Sequence, residues 1–147
     1  MQAALRLAEK AFTLGEVPVG AVVVSTEGKG RIVGRGYNQR ESLKDPTAHA
    51  EMLAITAAAN TLQDWRLSSC VLYVTKEPCP MCAGAIVNSR LAGVVFGAYD
   101  PEKGCCGSLY QLPNDPRFHL NIFIRGGILE APSRSLIQDF FRSRRNS

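Results

Sequence analysis

The chain of 147 residues contains no hydrophobic run that approaches the length of a membrane span. Its N-terminal segment mixes Arg6, Glu9 and Lys10 with apolar residues, so it does not resemble a signal peptide. The sequence therefore predicts a cytoplasmic protein with no membrane partner. It has five cysteines, and this odd number indicates thiols or metal ligands rather than a disulfide framework.

The sequence also has no internal repeat, no low-complexity tract and no linker that would divide it. Hydrophobic residues make up 46% of the chain, so residues 1–147 are expected to form one domain with a single core. The net charge of +4 is compatible with a polyanionic partner but does not require one. Arg142, Arg144 and Arg145 lie among the last six residues, where a solvated helix end and a nucleic-acid contact explain them equally well.

Hydrophobic periodicity and turn residues predict an alternation of helices and strands. Strand–helix–strand units require parallel neighbours, so the order indicates an α/β fold with a partly parallel sheet. The predicted elements are helix 3–14, strands 19–25 and 31–37, helix 48–60, strand 70–75, helix 78–90, strand 93–98, a loop over 100–117, strand 120–125 and helix 132–144.

Two short segments carry residues that suit a metal site, Thr-Ala-His-Ala-Glu at 47–51 and Pro-Cys-Pro-Met-Cys at 78–82. Cys79 and Cys82 are three residues apart, so they project from one face of a first helical turn, where the helix dipole favours thiolates. His49, at another predicted helix start, supplies a third ligand of suitable softness. Three protein ligands leave the fourth tetrahedral position for water, as in catalytic zinc sites, although iron also accepts such ligands.

Glu51 stands two residues after His49 and can reach a metal-bound water without ligating the metal. Zinc lowers the pKa of that water to roughly 7, and a neighbouring carboxylate can pass its proton to a substrate nitrogen. A closed zinc ribbon, the alternative, needs a fourth ligand at regular spacing. Cys105 and Cys106 are adjacent and His119 lies far along the chain, so a catalytic site is favoured. His-x-Glu followed by Pro-Cys-x-x-Cys is the signature of zinc nucleobase deaminases.

Over nearly its whole length the sequence resembles the bacterial tRNA-specific adenosine deaminases. The segments that carry the resemblance are residues 16–22, 45–51, 77–85, 88–90, 94–100, 107–109 and 140–145. The metal motifs belong to all cytidine-deaminase-like enzymes, whereas Val-Pro-Val-Gly, Asn-Ser-Arg and Phe-Phe-Arg are more particular to the tRNA enzymes. The resemblance implies a homodimer whose subunit, residues 1–147, is a three-layer cytidine-deaminase-like zinc deaminase domain, with a mixed sheet and helices on both faces.

The resemblance further implies hydrolysis of adenosine to inosine at the wobble position of a tRNA anticodon, with one zinc ion per subunit. Zinc-activated hydroxide would attack C6 of the adenine, and Glu51 would protonate N1 and then the departing amine. The residues implied to contact the base are Val19, Asn38, Ala50 and Pro78, and those implied to contact the ribose or the anticodon loop are Asp100, Phe141, Arg142 and Arg144. Relative to the family, the chain starts late and the 25–31 hairpin looks longer.

Two other functions stay open. A guanine deaminase acting on the free base shares the Pro-Cys-Pro-Met-Cys motif, but the arginine-rich tail argues against it. A non-catalytic zinc-stabilised RNA-binding module would leave Glu51 without a role.

Several of these residues also have ordinary structural explanations. Asn38 and Asp100 are common turn residues. One of Phe140 and Phe141 is expected in the core and the other against RNA, where aromatic rings stack on bases. The remaining expectations are a core position for Cys70, an exposed loop for Cys105 and Cys106, and a strand for His119.

Overall fold

The computed structural model describes residues 1–145 and contains one five-stranded mixed sheet. Its strands are β1 (Gly20–Ser25), β2 (Arg31–Tyr37), β3 (Cys70–Lys76), β4 (Gly93–Ala98) and β5 (Phe123–Arg125), in the spatial order β2-β1-β3-β4-β5. Strand β1 is antiparallel to both β2 and β3, whereas β3, β4 and β5 are parallel. The predicted mixed sheet is confirmed, and residues 146 and 147 of the predicted domain lie outside the described residues.

Helices cover both faces of the sheet and make the three layers that the resemblance implied. They are α1 (Gln2–Thr13), α2 (Arg40–Leu43), α3 (Ala50–Leu62), α4 (Pro80–Asn88) and α5 (Glu130–Arg145). Helices α1 and α5 contact each other on one face, and α3 and α4 contact each other on the opposite face. No helix within residues 1–145 is both long and apolar enough to cross a membrane.

Helix α3 lies directly on the β1–β2 hairpin because both contact surfaces consist of small residues. Ala50, Ala54 and Ala58 form a fully buried stripe along the helix at a spacing of four residues. Opposite this stripe, Gly34 and Gly36 have no side chain, and a Cβ at either position would stand 2.3 Å from a backbone oxygen of α3. This close approach sets the position of the α3 N-terminus over the sheet.

The ends of several strands and helices lie at the same edge of the sheet. Strands β2, β3 and β4 run in the same direction, so their C-terminal ends lie at the same edge. Helices α3 and α4 begin there, the first after the α2 segment and the second directly after the turn that follows β3. In open α/β sheets, ligand sites form outside the carboxyl ends of the strands.

The two helices at this edge begin about two residues later than the sequence predicts, at Ala50 and Pro80 rather than at 48 and 78. Before α3, the Asp45 carboxylate accepts hydrogen bonds from the backbone N–H and hydroxyl of Thr47, at 2.8 and 2.7 Å, and closes a separate turn. The short helix α2 was not predicted, since four residues are too few for a periodic pattern. The other boundaries before residue 100 agree with the prediction to within two residues.

The segment after β4 differs more from expectation. Cys105 and Cys106 are buried, with 2% of each exposed, so the prediction of an exposed loop for them is wrong. Their backbone N–H groups donate inward, to the carbonyl of Pro78 and to the carboxylate of Glu77. His119 ends a short 3₁₀ turn with a left-handed backbone, φ 57°, and lies outside the strand predicted for it, because β5 begins only at residue 123.

Replacing Gly34 with alanine is expected to lower the free energy of unfolding by about 1–3 kcal/mol, because overpacking forces the helix away from the sheet. The new methyl group would lie within 3 Å of the α3 backbone. Urea unfolding followed by circular dichroism measures the change. Gly84→Ala in α4 is the matched control, since a Cβ there meets nothing within 4 Å and alanine favours a helix. Equal losses for both variants would contradict the close-packing argument.

Candidate active site

His49, Cys79 and Cys82 come together where α3 and α4 begin. The Nδ1 atom of His49 lies 3.6 Å from Sγ of Cys79 and 3.5 Å from Sγ of Cys82. Zinc bonds of about 2.0–2.1 Å to nitrogen and about 2.3 Å to sulfur, at tetrahedral angles, hold such atoms about 3.6 Å apart. Within residues 1–145 no fourth histidine, cysteine or carboxylate joins this group. The three side chains therefore fit a zinc ion that keeps one position for a non-protein ligand.

The backbone explains why these side chains converge. His49 and Cys79 are the N-cap residues of α3 and α4, and both have extended backbones, with φ −75° in each case. Pro80 takes the first helical position of α4, where the missing N–H costs nothing. Cys82 follows within the same turn of the helix. Two helix N-termini thus face the cluster, and their dipoles favour the thiolate charge that a metal ligand needs.

The protons of the cluster are strongly redistributed. Hydrogen bonds from Cys82 and from His49 lower the pKa of the Cys79 thiol to about 4, despite the opposing effect of burial. The hydrogen bond to Cys79, together with burial, raises the pKa of Cys82. The hydrogen bond to Cys79 also raises the pKa of His49. Binding of a divalent metal replaces these shared protons, because zinc takes thiolate and neutral imidazole ligands.

Glu51 lies in the first turn of α3 and is 4% exposed. It lines the same cavity as His49 and Cys79, at the metal cluster but outside the ligand group. Burial raises the pKa of its carboxyl group, so this group holds a proton more readily than an exposed glutamate does. A carboxyl group beside the metal ligands can accept a proton and return it.

A cavity of about 200 Å³ opens beside the cluster. This volume is below the roughly 300–1,000 Å³ of sites for drug-sized ligands, and it suits one flat ring system. The expected substrate residues that line it are Val19, Asn38, Ala50, Asp100 and Phe141. Pro78 is buried beside it and accepts a hydrogen bond from the backbone N–H of Cys105.

The two expected arginine contacts lie away from this first cavity. Arg142 is exposed and forms an ion pair with Asp139 at 3.0 Å. Arg144 donates to the carbonyl of Gly15 at 2.7 Å, and its guanidinium lies 4.7 Å from the centre of the Phe140 ring. Arg144 lines a second cavity of about 560 Å³, which shares the residues Val17, Asn38, Arg40 and Phe141 with the first. The two cavities therefore adjoin each other.

Glu77, to which the sequence analysis assigned no role, holds one wall of the first cavity. Its carboxylate is 2% exposed and accepts four hydrogen bonds from the loop that follows β4. The donors are the backbone N–H groups of Asp100, Cys106 and Ser108, at 2.9–3.0 Å, and the Ser108 hydroxyl at 2.5 Å. Gly104 allows this approach, since a Cβ there would stand 2.2 Å from the carboxyl carbon of Glu77.

Glu16, which lines the second cavity, is held in a similar way. It is 1% exposed and accepts hydrogen bonds from the backbone N–H groups of Glu41 and Ser42, at 3.0 and 2.8 Å, which ties α2 to the segment after α1. Burial raises the pKa of its carboxyl, but these hydrogen bonds lower it by more. Glu16 and Glu77 are not metal ligands, but both lie inside segments that carry the family resemblance. Their place in those segments was the feature of the sequence that could have identified them.

Comparison with known proteins places these features in a family. The family model for the cytidine and deoxycytidylate deaminase zinc-binding region matches residues 1–98. A tRNA-specific adenosine deaminase of Bacillus subtilis (strain 168) is 47% identical over 145 residues, which cover 99% of this chain and 88% of that protein.

Two solved structures bear on the fold and on the alternative function. A structure from a study of A-to-I editing by tRNA:A34 deaminases superposes with a TM-score of 0.86 at 38% identity, covering 92% of this chain and 96% of that one. A guanine deaminase from Bacillus subtilis superposes with a TM-score of 0.61 at 39% identity, covering 67% of this chain and 61% of that one.

The purified protein is expected to contain one zinc ion per chain, and Cys82→Ala should lose it because two ligands hold zinc much less tightly than three. Elemental analysis of dialysed protein measures the metal content. Cys106→Ala is the matched control, since Cys82 and Cys106 are both buried thiols but only the first belongs to the cluster. Loss of zinc in the control, or its retention in Cys82→Ala, would contradict the assignment of the ligands.

Proposed function

Because the chain belongs to the cytidine and deoxycytidylate deaminase family, and within it to the tRNA-specific adenosine deaminases, we propose that it hydrolyses adenosine to inosine at the wobble position of a tRNA anticodon. The observation that carries the proposal is the meeting of His49, Cys79 and Cys82 with the buried Glu51 at one base-sized cavity. When bound, zinc supplies Lewis-acid activation of water at neutral pH.

Glu51 would carry out the proton transfers. The reaction adds water at C6 of the adenine and releases ammonia, so two protons must move. Glu51 takes the proton of the attacking water and delivers it to N1. The proton of the new C6 hydroxyl then passes through the same carboxylate to the amino nitrogen, which leaves as ammonia, and inosine keeps the proton on N1. The buried position of Glu51 next to the metal ligands supports this role.

Asn38 would orient the base. Its side chain is held on both sides, because its Oδ1 accepts from the backbone N–H of Arg40 at 3.3 Å and its Nδ2 donates to the carbonyl of Val17 at 3.4 Å. An amide nitrogen has two hydrogens, so one remains for a ring nitrogen of the adenine. Val19 and Ala50 offer apolar surface for the face of the ring, and both line the cavity.

The neighbouring nucleotides would occupy the second cavity. Phe140 is 6% exposed and packs edge-on against Phe12, whereas Phe141 is 44% exposed and lines both cavities. Phe141 is therefore the ring of this pair that is available for stacking on a base. Arg40 and Lys103 line the first cavity and add positive charge near the path of a phosphate backbone.

Guanine deamination is supported less well. The guanine deaminase structure matches a smaller share of this chain, with a lower TM-score, than the tRNA:A34 deaminase structure. A free base requires a closed pocket, whereas the base-sized cavity here adjoins one more than twice its volume. This open approach favours a base that arrives as part of a polymer.

We infer the homodimer from the family resemblance, and the cytoplasmic location and the single domain from the sequence itself. Sedimentation of the zinc-loaded protein tests the first of these inferences, with a mass of about two 16.0 kDa chains as the expected result.

Glu51→Gln is expected to retain zinc and fold but to lower deamination at least about 10²–10⁴-fold, the usual contribution of a general acid and base. Mass spectrometry of an anticodon stem-loop, before and after incubation, measures inosine. Free guanine is the control substrate and should stay unchanged with the wild type. Deamination of guanine without formation of inosine would replace the proposal by its alternative. An active Glu51→Gln variant would remove the carboxylate from the mechanism.

Phe141→Ala is expected to weaken binding of the stem-loop by about 5–150-fold, since base stacking on an aromatic ring contributes roughly 1–3 kcal/mol. Fluorescence anisotropy with a labelled stem-loop measures the affinity. Phe118→Ala is the matched control, because Phe118 is also 44% exposed but lines neither cavity. Equal effects of the two substitutions would argue against a base at Phe141.

A further inference from the structure

The short helix α2 depends on side chains from outside the helix. It has only four residues, Arg40–Leu43, and helices of this length are not stable by themselves in water. Among the described residues, its N-cap residue Gln39 makes no side-chain capping hydrogen bond. Nevertheless, the first three backbone N–H groups of α2 all donate to side-chain oxygens.

The acceptors of these three N–H groups are Asn38 and Glu16. Oδ1 of Asn38 accepts from Arg40 at 3.3 Å, and the two oxygens of Glu16 accept from Glu41 and Ser42 at 3.0 and 2.8 Å. The first N–H groups of a helix have no partner within the helix, and a nearby side chain usually caps them. Here the larger part of the cap comes from a carboxylate 25 residues earlier in the chain.

The same groups form a closed ring of hydrogen bonds. Nδ2 of Asn38 donates to the carbonyl of Val17, which follows Glu16 in the sequence. The ring therefore runs from Glu16 through the N–H groups of α2 to Asn38, and from Asn38 back to Val17. The backbone N–H of Glu16 donates to Ala11 at 2.9 Å, which attaches the ring to helix α1. Glu16 is 1% exposed and Asn38 is 6% exposed, so solvent has little access to either side chain.

This ring determines the orientation of the Asn38 amide. The reverse orientation would place the amide NH₂ against the N–H of Arg40 and the amide oxygen against the carbonyl of Val17. Two donors or two acceptors do not form a hydrogen bond. As long as α2 stays in place, the second hydrogen of Nδ2 therefore has one direction, on a side chain that lines the base-sized cavity.

A carboxylate suits this position because two N–H groups point at it. A glutamine has one acceptor oxygen and an NH₂ group, so it would set a donor against one of the two N–H groups. Burial raises the pKa of Glu16, whereas its hydrogen bonds and the charge of Arg40 lower the pKa overall. The carboxylate is therefore ionised at neutral pH, and both oxygens are available as acceptors.

We propose that Glu16 is a positioning residue of the deamination reaction, which acts through Asn38. By capping α2, it holds the N–H group that orients the Asn38 amide, and so it aims the donor that meets the adenine. This inference rests on the proposed function and deepens it, because it names the residue that makes Asn38 selective.

A double-mutant cycle in kcat/KM for inosine formation in an anticodon stem-loop tests the proposal. Glu16→Gln should lower kcat/KM by about five- to tenfold, in the range of a lost hydrogen bond. In the Asn38→Ala background, the same substitution should change kcat/KM by less than about twofold, because the amide that it orients is gone. Loss of charge alone predicts the opposite sign, since removal of a carboxylate favours the approach of RNA.

The Phe141→Ala background is the matched control. Phe141 lines both cavities but has no part in the ring. There Glu16→Gln should keep its full effect to within about twofold, as independent sites do. A general loosening of the cavity walls would instead give the same loss in both backgrounds. All variants are expected to keep the zinc content of the wild type.

Hydrogen exchange of the wild type tests the capping itself, without any substitution. The backbone N–H groups of Glu41 and Ser42 should exchange at least about tenfold more slowly than in an unstructured peptide of the same sequence. NMR spectroscopy or mass spectrometry in D₂O measures the rates.

Four results would overturn the inference. Unprotected N–H groups at Glu41 and Ser42 would show that Glu16 does not cap α2. Equal losses in the Asn38→Ala and Phe141→Ala backgrounds, or loss of zinc or of folding in Glu16→Gln, would make Glu16 a residue of general stability. In these cases a wild type that forms inosine leaves the proposed function standing. A wild type that forms no inosine from any stem-loop would remove both proposals.

Discussion

The site depends on one geometric constraint, that two helices begin within a few ångströms of each other at the same edge of the sheet. The ligand atoms of His49 and Cys79 are 3.6 Å apart although 30 residues separate them in the chain. Helix α3 packs through its alanine stripe on the glycines of β2. Helix α4 begins after a turn of three residues that follows β3. A shift of α3 by the width of one methyl group would move its ligand out of zinc-binding distance.

The sequence predicts the parts of the site that depend on local spacing. Cys79 and Cys82 share a helical turn, His49 and Glu51 flank a helix start, and the strands have apolar patterns that need no distant partner. The parts that depend on long-range contacts were missed. Glu77 binds Ser108 across 31 residues and Glu16 binds Ser42 across 26. For the same reason the burial of Cys105 and Cys106 could not be predicted. The carboxylate that binds their loop belongs to Glu77, which lies 29 residues before Cys106 in the sequence.

Glu16 and Glu77 share a physical role in the walls of the two adjoining cavities. Each is a nearly fully buried carboxylate that satisfies its oxygens mainly with backbone N–H groups. Such an arrangement orders loop backbone without a lysine or arginine side chain, among the described residues, in contact with the carboxylate, although the charge of Arg40 adds to the lowering of the pKa of Glu16. The two glutamates thus order the loop backbone beside the two cavities.

The charged and polar groups that line the first cavity differ in what they can bind. At the cluster, two thiolates would balance the charge of a bound divalent metal ion, and the buried Glu51 carboxyl is the group available for proton transfer. The cations Arg40 and Lys103 line the same cavity and form no ion pair within residues 1–145. The pair of Lys76 and Asp100 also lines this cavity and is neutral overall. The cavity thus combines a group for proton transfer with cations that form no ion pair within residues 1–145, and this combination suits a base that is attached to a phosphate backbone.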